Sequence, residues 1–444
     1  MSFPRYAEYK DSGVAWLGEV PTYWEARPLK YLAKLVTGLT PPTDVHENYA
    51  EDGFPWIRPE DINETGAVTL ASKFLSEGGA EISRHLAPLS TLICCIGTIG
   101  KAGIIGVSAA TNQQITAASF QGSAKYFYYA TCAARTEIET SATGNVLKIL
   151  NTERLGRIGF PDPPDYEQSA IAAFLDRETG KIDALIAEQE KLLILLAEKR
   201  QATISHAVTR GLNPDAPMKD SGVPWLGEVP SHWTVTRCGR YLSVLSGFAF
   251  PSMGFDHTGN GVRLLRGVNV GVSSLRWDDV VFWQRAAGDG LESYELRGGD
   301  VVIGMDRPLI SAGMRVAKVC KDDLPCLLLQ RVASLRTSAE LKADFLMLYL
   351  STDMFVAHFS PDTTGVSVPH ISPDQIGSFV IAIPSIEEQQ QILSRIEIEL
   401  ASLDRLAAEA ERGVALLKER RSALIAAAVT GKIDVRGVPR ERAA

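Results

Sequence analysis

Apolar side chains recur every seven residues in two stretches of the chain, and this spacing predicts two long helices. The first stretch begins at Asp165, and the second begins after Ser385, where Glu388 follows at the spacing of a capping box. Heptads sustained over such lengths are typical of coiled coils, so we expect the two helices to pack together. The seam residues that keep this register are Leu175, Ile182, Leu196, Ile396, Leu403, Leu417 and Leu424.

A second apolar line beside the first is expected to complete the seam. Its residues are Ile171, Leu185, Leu192, Ile392 and Leu406. Gly211 and Gly431 end the two stretches at matching places, because glycine readily adopts the left-handed backbone that closes a helix. Each predicted helix has about 42 residues and a length of roughly 60 Å at the rise of an α-helix.

The segments between these stretches predict mixed α and β structure, because short β-branched runs alternate there with glycine and proline turns. We expect each segment to form a compact α+β domain of roughly 150 residues. The predicted strands lie near 90–96, 103–107, 300–303 and 314–319, and a short helix is predicted near 343–351.

The sequence contains an internal duplication. Residues 10–24 read KDSGVAWLGEVPTYW and residues 219–233 read KDSGVPWLGEVPSHW, so 12 of 15 positions are identical. A second repeat aligns 144–209 with 365–430 at an offset of 221 residues, and about 21 of its 66 pairs are identical. The residues between the repeats differ in sequence and in length. This pattern indicates one scaffold that presents two different surfaces.

The predicted fold class is α+β, with two variable domains of mixed α/β type separated by two long helices. The helices are expected to form an antiparallel coiled coil, and the duplication predicts a pseudo-two-fold arrangement. The predicted boundaries are 1–164 for the first variable domain, 165–210 for the first helix, 211–386 for the second variable domain, and 387–444 for the second helix and the tail.

The composition is that of an ordinary globular protein, with 45% hydrophobic and 22% charged residues. The longest apolar runs are far shorter than the roughly 20 residues that span a bilayer, so we expect no membrane partner. The cysteines show no CxxC pairing and the histidines show no metal-ligand spacing. We therefore expect reduced thiols, no metal site and a cytoplasmic location.

The net charge of −8 is spread over the whole chain. The four predicted segments carry −3, −2, −3 and 0, so none of them is basic. A protein that wraps nucleic acid unaided usually has at least one basic face. Charge alone therefore argues against strong DNA binding by the isolated chain.

The duplicated motif, the variable middles and the long helices together resemble the specificity subunit of type I restriction-modification systems. The resemblance extends over essentially the whole chain, in the order of that family. Residues 57–62 (IRPEDI) and 265–270 (LRGVNV) look like the family's (I/L)R-x-x-(D/N)-(I/V) segment.

Two further segments of the first variable domain, GTIGK at 97–101 and NQQI at 112–115, also look like segments of that family. The second variable domain departs from both, with IGMDR at 303–307 and LQRV at 329–332 in the corresponding places. Such a departure is expected if the two domains read different DNA.

The resemblance implies a non-catalytic subunit whose variable domains each read one half of a bipartite, asymmetric site in double-stranded DNA. The helices would set the spacer between the half-sites and would dock two modification (methyltransferase) subunits. Those subunits would bind S-adenosylmethionine, and restriction (translocase and endonuclease) subunits that use ATP and Mg²⁺ would join in some systems. No cofactor is therefore expected in this chain.

Candidate DNA-binding residues follow from the side chains that suit each base and from their places in turns. Arg and Lys prefer guanine, whereas Asn and Gln prefer adenine. The candidates are Arg58, Lys101, Asn112, Gln113 and Gln114 in the first variable domain, and Arg266, Asn269, Arg307, Gln330 and Arg331 in the second.

Other repeated side chains receive structural interpretations. The tryptophans of the repeated motif are interpreted as anchors of the variable domains on the helices; they are Trp16, Trp24, Trp225 and Trp233. The pairs Lys199-Arg200 and Arg420-Arg421, near the ends of the helices, are interpreted as part of a solvated face, with contact to a partner or a phosphate as the alternative.

Two other functions match parts of the sequence. A coiled-coil scaffold whose variable domains bind proteins would suit the acidic charge. Residues 162–166 (DPPDY) resemble the loop of N6-adenine methyltransferases, but the fourth residue is Asp and no glycine-rich cofactor loop precedes it. Residues 97–102 (GTIGKA) lack the first glycine and the final Ser or Thr of a nucleotide-binding P-loop. We therefore expect no catalytic residue.

Overall fold

The computed structural model of the chain describes residues 3–144, 147–359 and 370–437. The chain forms two compact units. Unit 1 consists of Met1–Lys191 and Ala410–Ala444, and unit 2 consists of Leu192–Glu409. Each unit therefore contains one variable domain, the beginning of one long helix and the end of the other.

The two long helices extend over Asp165–Arg210 and Ile386–Val429, which confirms the prediction from the heptads. The predicted cap of the second helix is present, since Glu388 donates its backbone N–H to Ser385 Oγ at 3.3 Å. Gly211 and Gly431 follow the two helices and both have a φ of +71°. Glycine adopts this left-handed backbone without the steric cost of a Cβ atom, so both helices end where predicted.

The predicted seam residues are buried or half-buried. In unit 1 the helices run antiparallel, because Glu190 pairs with Lys418 and Asp183 with Arg421. The seam residues Ile171, Leu175, Ile182, Leu196, Ile392, Ile396 and Leu403 are buried, and Leu417 and Leu424 are half-buried. Burial of such aliphatic side chains contributes roughly 1.5–3 kcal/mol each to stability.

The second predicted apolar line is wrong at Leu185, Leu192 and Leu406, whose side chains are exposed. The line that completes the seam lies one residue further along the first helix, where Ile186 is buried and Leu193 is half-buried. A coiled-coil seam alternates steps of four and three residues, and one residue turns the side chain by about 100° around the helix. The exposed leucines therefore form a separate outer line.

One ion pair occurs twice because of the duplication. Asp183 with Arg421 in unit 1 and Asp404 with Arg200 in unit 2 are the same two positions, 221 residues apart. The Arg421 side chain is only 14% exposed and also donates to the backbone carbonyls of residues 64 and 65, whereas Arg200 is 42% exposed. The interpretation as a solvated side chain is therefore wrong for Arg421.

Unit 1 contains two main sheets. The first has the strand order Ala33–Thr37, Ile115–Phe120, Thr91–Cys94, Ala102–Ile105 and Val68–Thr69. The second has the order Ala110–Thr111, Phe54–Ile57, Lys73–Leu75 and Tyr49–Ala50. Tyr9–Asp11 pairs with Glu19–Pro21, and Glu25–Pro28 pairs with Gly159–Asp162. The short helices are Leu29–Tyr31, His46–Asn48, Glu77–Glu81, Ala124–Ala133, Arg135–Thr140 and Thr152–Arg157.

Unit 2 repeats this plan. Its first sheet has the order Leu242–Ser246, Val332–Thr337, Val301–Gly304 and Val316–Lys318, and its second has the order Phe282–Trp283, Val262–Leu265 and Cys326–Leu328. The smaller pairs are Met218–Asp220 with Glu228–Pro230, Thr234–Arg237 with Val380–Ile383, and Leu309–Ile310 with Gly313–Met314. The short helices are Cys238–Arg240, Ser252–Gly254, Gly267–Asn269, Glu292–Tyr294, Lys321–Asp323, Ala343–Leu350, Asp353–Phe359 and Pro373–Ser378.

The two units share one topology. Four strands of the first sheet follow the same order in both units, and all their pairings are antiparallel. In each second sheet one pair is parallel, namely Phe54–Ile57 with Ala110–Thr111 and Val262–Leu265 with Cys326–Leu328. We call these the parallel pairs. The α+β fold class with an internal duplication is thereby confirmed, and the predicted strands are present with bounds shifted by a few residues.

Two of the four tryptophans of the repeated motif, Trp24 and Trp233, anchor the units on the long helices as predicted, whereas Trp16 contacts a strand of the variable domain. Trp24 and Trp233 are buried, and their Nε1 atoms donate to Glu167 and Glu388 at 3.0 Å, near the start of each long helix. Trp16 donates to a backbone carbonyl at 2.9 Å. Trp225 is exposed, so the anchoring interpretation is wrong for its side chain. Within the described ranges, no helix is both long and apolar enough to cross a membrane.

We expect Arg421→Ala to destabilise the protein by about 2–4 kcal/mol, because it leaves the carboxylate of Asp183 without its partner inside the helix pair. The matched control is Arg200→Ala, which removes the equivalent but more exposed pair with Asp404 and should cost less than about 1 kcal/mol. Urea unfolding followed by far-ultraviolet circular dichroism measures both changes. Equal losses in the two variants would contradict the assignment.

Candidate nucleic-acid interface

The candidate residues of unit 1 lie together because the parallel pair of that unit ends in register. Ala110–Thr111 aligns with the end of Phe54–Ile57, so Arg58 and Asn112 leave the sheet side by side. Lys101 joins them from a neighbouring loop, and its Nζ donates to the carbonyl of residue 59 at 2.8 Å. Three loops that are distant in sequence therefore meet where the parallel pair of unit 1 ends.

The two glutamines complete this group. Gln113 is exposed, and its Oε1 accepts a hydrogen bond from the hydroxyl of Thr40. Gln114 Oε1 accepts from Asn112 Nδ2 at 2.8 Å, while Asn112 Oδ1 accepts from the backbone N–H of Gln114 at 3.1 Å. Asn112 is buried and its side chain shapes the turn, so Gln113 and Gln114 are the side chains with polar atoms left for a ligand.

Unit 2 brings its candidates together in the same way. Arg266 follows Val262–Leu265, and Gln330 and Arg331 follow Cys326–Leu328, the parallel partner of that strand. The loop that carries Arg307 is joined to them, because the N–H of Met305 donates to the Arg331 carbonyl at 2.9 Å. Arg307, Gln330 and Arg331 are all exposed.

The Asn269 side chain is buried and stabilises its own loop, so it is not accessible to a ligand. Its side chain is 1% exposed, its Oδ1 accepts from the Arg266 N–H at 3.1 Å, and its Nδ2 donates to two carbonyls of the same loop at 2.8 and 2.9 Å. Asp61 occupies the equivalent place in unit 1 and accepts from the Arg58 N–H at 2.9 Å. Both residues close a turn, and a base contact by Asn269 is not available in this conformation.

The arginines of this turn share an unusual feature. Arg58 Nη2 donates to a serine hydroxyl at 3.1 Å and Arg266 Nη2 to a backbone carbonyl at 2.7 Å. The Nε atoms of both arginines are buried, and within the described part of the chain neither has a hydrogen-bond partner. An unpaired buried donor costs about 1–3 kcal/mol, and its occurrence at equivalent positions in both units favours a functional origin.

Sequence reasoning missed one cation of this site, Arg315. Lys101 and Arg315 each precede the fourth strand of the first sheet, Ala102–Ile105 in unit 1 and Val316–Lys318 in unit 2, and their carbonyls accept equivalent backbone hydrogen bonds at 2.9 and 3.0 Å. The alignment of 97–101 with 303–307, which placed Arg307 opposite Lys101, is therefore wrong. The loop of unit 2 is longer and contains its own hairpin, so no sequence pattern marked the equivalence.

The Arg315 guanidinium links two loops of unit 2. Its Nε donates to the carbonyl of Val270 at 3.1 Å, and its Nη1 donates to the carbonyl of Asp306 at 2.9 Å. Burial, followed by the nearby positive charge of Arg276, lowers the pKa of Arg315. Lys101 makes the corresponding link in unit 1 with a single hydrogen bond.

Backbone strain marks the same site. Arg307 and Arg331 have φ values of +45° and +67°, in the left-handed region that residues with a Cβ atom rarely adopt. Such a conformation costs about 1–2 kcal/mol per residue and occurs preferentially at binding and catalytic sites. Among the described residues, no group of three or more His, Cys, Asp or Glu side chains could hold a metal ion.

Comparison with known proteins connects this geometry to a family. The sequence profile described as "Type I restriction modification DNA specificity domain" matches residues 21–193 and 284–408. The EcoAI type I restriction enzyme specificity subunit of Escherichia coli is 33% identical over 47% of this chain and 34% of that subunit. The MjaVIII specificity subunit of Methanocaldococcus jannaschii is 24% identical over 94% of this chain and 95% of that subunit.

A solved structure of a type I R-M system contains a chain with the same fold, at a TM-score of 0.65 and 16% identity. The match covers 92% of this chain and 98% of that one. The chain thus spans about a third of the E. coli relative and nearly the whole of the archaeal one.

We expect Lys101→Ala to increase amide hydrogen exchange in residues 58–62 by about five-fold, because one hydrogen bond to that loop is lost. Arg315→Ala should increase exchange in 266–270 by about tenfold or more, because it removes the links between two loops. Hydrogen exchange with mass spectrometry measures both, and in each variant the loops of the other unit serve as the control. Unchanged exchange in the linked loop would show that the contact does not hold it.

Proposed function

The chain belongs to the type I restriction modification DNA specificity family, and from this premise we propose that each unit reads one half of a bipartite, asymmetric site in double-stranded DNA. The observation that carries the proposal is that the two units place different side chains at equivalent backbone positions. Residues 112–114 and 329–331 occupy equivalent places after the parallel pairs, yet they read NQQ and LQR. Two readers of this kind would recognise two different sequences.

The chemistry of these side chains suits base edges. The major groove distinguishes all four base pairs by their donors and acceptors, and Arg, Lys, Asn and Gln are the side chains that match them. In both units such side chains stand on loops held by a sheet, so their positions are fixed before DNA arrives. The predicted DNA-binding residues other than Asn112 and Asn269 keep this proposed role.

We propose that the chain itself catalyses no reaction and acts in the cytoplasm. Methylation would be performed by two modification subunits that bind S-adenosylmethionine, and ATP and Mg²⁺ would be used by restriction subunits where these are present. These partners would also supply the phosphate contacts that an acidic chain lacks. The long helices would set the spacer between the half-sites, because a helix pair of fixed length is stiff.

Four exposed leucines of the two long helices, which we call the docking leucines, support a docking role for the helices. Leu185 and Leu406 are equivalent positions, as are Leu195 and Leu416, and all four side chains are exposed. Unit 1 contains Leu185 and Leu416, and unit 2 contains Leu406 and Leu195. Each unit therefore presents one leucine of each kind, which fits two copies of the same partner subunit.

An exchange of residues 25–143 for the corresponding segment of another family member tests the proposal. We expect the recognised sequence to change in one half-site, while the other half-site and the spacer stay the same, because the second reader and the helices are unaltered. Selection of bound duplexes from a random pool by the complex with the methyltransferase measures this. If neither chain enriches any sequence, the scaffold with protein-binding domains becomes the better explanation.

Charged substitutions of the docking leucines should remove the partner one copy at a time. The pair Leu185→Glu and Leu416→Glu should leave one bound methyltransferase subunit, and the further changes Leu195→Glu and Leu406→Glu should leave none, because a buried unpaired carboxylate opposes docking. Native mass spectrometry counts the subunits. The control is Leu70→Glu, which is exposed but lies on a variable domain. Retention of both copies by the four-fold variant would refute this docking surface.

A further inference from the structure

Three charged residues form a cluster beside the base-reading loops of unit 2, and we call it the Asp306 cluster. Arg331 Nη1 donates to Asp306 Oδ2 at 2.8 Å, and His370 Nδ1 lies 2.7 Å from Asp306 Oδ1. Burial alone would raise the pKa of Asp306, but its hydrogen bonds with His370 and Arg331 hold that pKa below its usual range. The carboxylate is therefore ionised and engaged on both oxygens.

Unit 1 has the same backbone frame without these charges. Ile96 and Ile149 form the isolated bridge that Asp306 and His370 form in unit 2. Gln114 takes the place of Arg331, because its carbonyl accepts the equivalent backbone hydrogen bond, at 2.7 Å. The fold therefore does not require the charged cluster, which belongs to what unit 2 alone recognises.

The cluster presents Arg331 outward. The side chain is 71% exposed, and one of its five N–H donors is used by Asp306. No described residue accepts from the other four. The left-handed backbone at this residue is held by the hydrogen bond from Met305, so the side chain leaves the loop in a fixed direction. The result is a guanidinium with one anchored edge and one free edge.

The free edge suits a base better than a phosphate. A guanine presents O6 and N7 side by side in the major groove, and an arginine can donate to both. A phosphate is attracted mainly by unbalanced positive charge, and the Asp306 carboxylate cancels that charge at 2.8 Å. A carboxylate partner also restricts the rotation of the guanidinium, which improves a geometric match without adding attraction to the DNA backbone.

We propose that Asp306 is a positioning residue that fixes the Arg331 guanidinium so that its free edge reads a guanine in the half-site of unit 2. This inference rests on the proposed function and names the base and the residues for one of its two sites. Asp306 touches no base itself, and its contribution acts through Arg331.

The experiment uses the full-length chain in complex with its methyltransferase subunits. Selection from random duplexes first defines the two half-sites, and affinities are then measured for duplexes with each base pair replaced. In the Arg331→Ala complex, discrimination at one G·C pair of one half-site should fall about 10- to 100-fold. The other half-site is the internal control for folding, and Gln114→Ala should leave that G·C pair unaffected.

The Asp306 variants distinguish positioning from a general structural role. Asp306→Ala should lower discrimination at the same base pair about 5- to 20-fold, and Asp306→Asn should lower it less, because the amide oxygen still accepts from Arg331. The double variant Asp306→Ala/Arg331→Ala should be no worse than Arg331→Ala alone, since both act through one contact. A merely structural role would instead lower binding of all sequences and the thermal midpoint together.

A modified base identifies the contact. Replacing the guanine by 7-deazaguanine removes the N7 acceptor and should weaken binding by the unaltered complex about five-fold or more, but not binding by the Arg331→Ala complex. Weakening of all duplexes by Arg331→Ala, with a salt dependence reduced by about one phosphate contact, would overturn the inference and leave the proposed function standing. Absence of any enriched sequence for the unaltered complex would defeat the proposed function itself.

Discussion

The architecture depends on a tryptophan–carboxylate hydrogen bond near the start of each long helix, where the carboxylate is buried in unit 1 and half-buried in unit 2. Glu167 is fully buried in unit 1 and accepts from Trp24 Nε1 and from the hydroxyl of Tyr6, both at 3.0 Å. A buried charge without partners costs several kcal/mol, so these donors hold the N-terminal motif to the helix. Burial, and then the charge of Glu167, raises the pKa of Tyr6 well above its usual range. Glu388 and Trp233 repeat the arrangement in unit 2.

The opposite end of each helix is fixed as firmly, and this leaves the loops free to differ. Tyr126 is buried and donates to the carbonyl of Val429, and Tyr349 donates to the carbonyl of Val208, so each unit binds the last turn of a long helix. Because the stability of a unit comes from these junctions and from its core, its loops can change in length and sequence at little cost. The hairpin between Gly304 and Arg315 in unit 2 is such a change.

The sequence revealed the features that repeat with a period, and it missed those that depend on three-dimensional neighbours. The line through Leu175 follows from heptads alone, but the choice between Leu185 and Ile186 depends on which face meets the partner helix. Likewise, Arg421 looks like a surface charge in a one-dimensional pattern, and its burial depends on the antiparallel register that brings Asp183 to it. The equivalence of Lys101 and Arg315 was hidden by an insertion, which sequence spacing cannot bridge without the strand pairing.

Under the proposed function, the charges at the two candidate surfaces would explain how an acidic chain can select DNA. Arg58, Arg266 and Arg331 each lie within 2.8 Å of a carboxylate of their own unit, so none adds much unbalanced positive charge to its surface. Attraction to phosphates is independent of sequence. Each additional phosphate contact would therefore also strengthen binding to the large excess of wrong sites. Cations neutralised in place lose that attraction and keep their directed N–H groups, which only the right base edge can satisfy. Discrimination and affinity are thus separable, and under the proposed function this chain would contribute discrimination while its partners would contribute affinity.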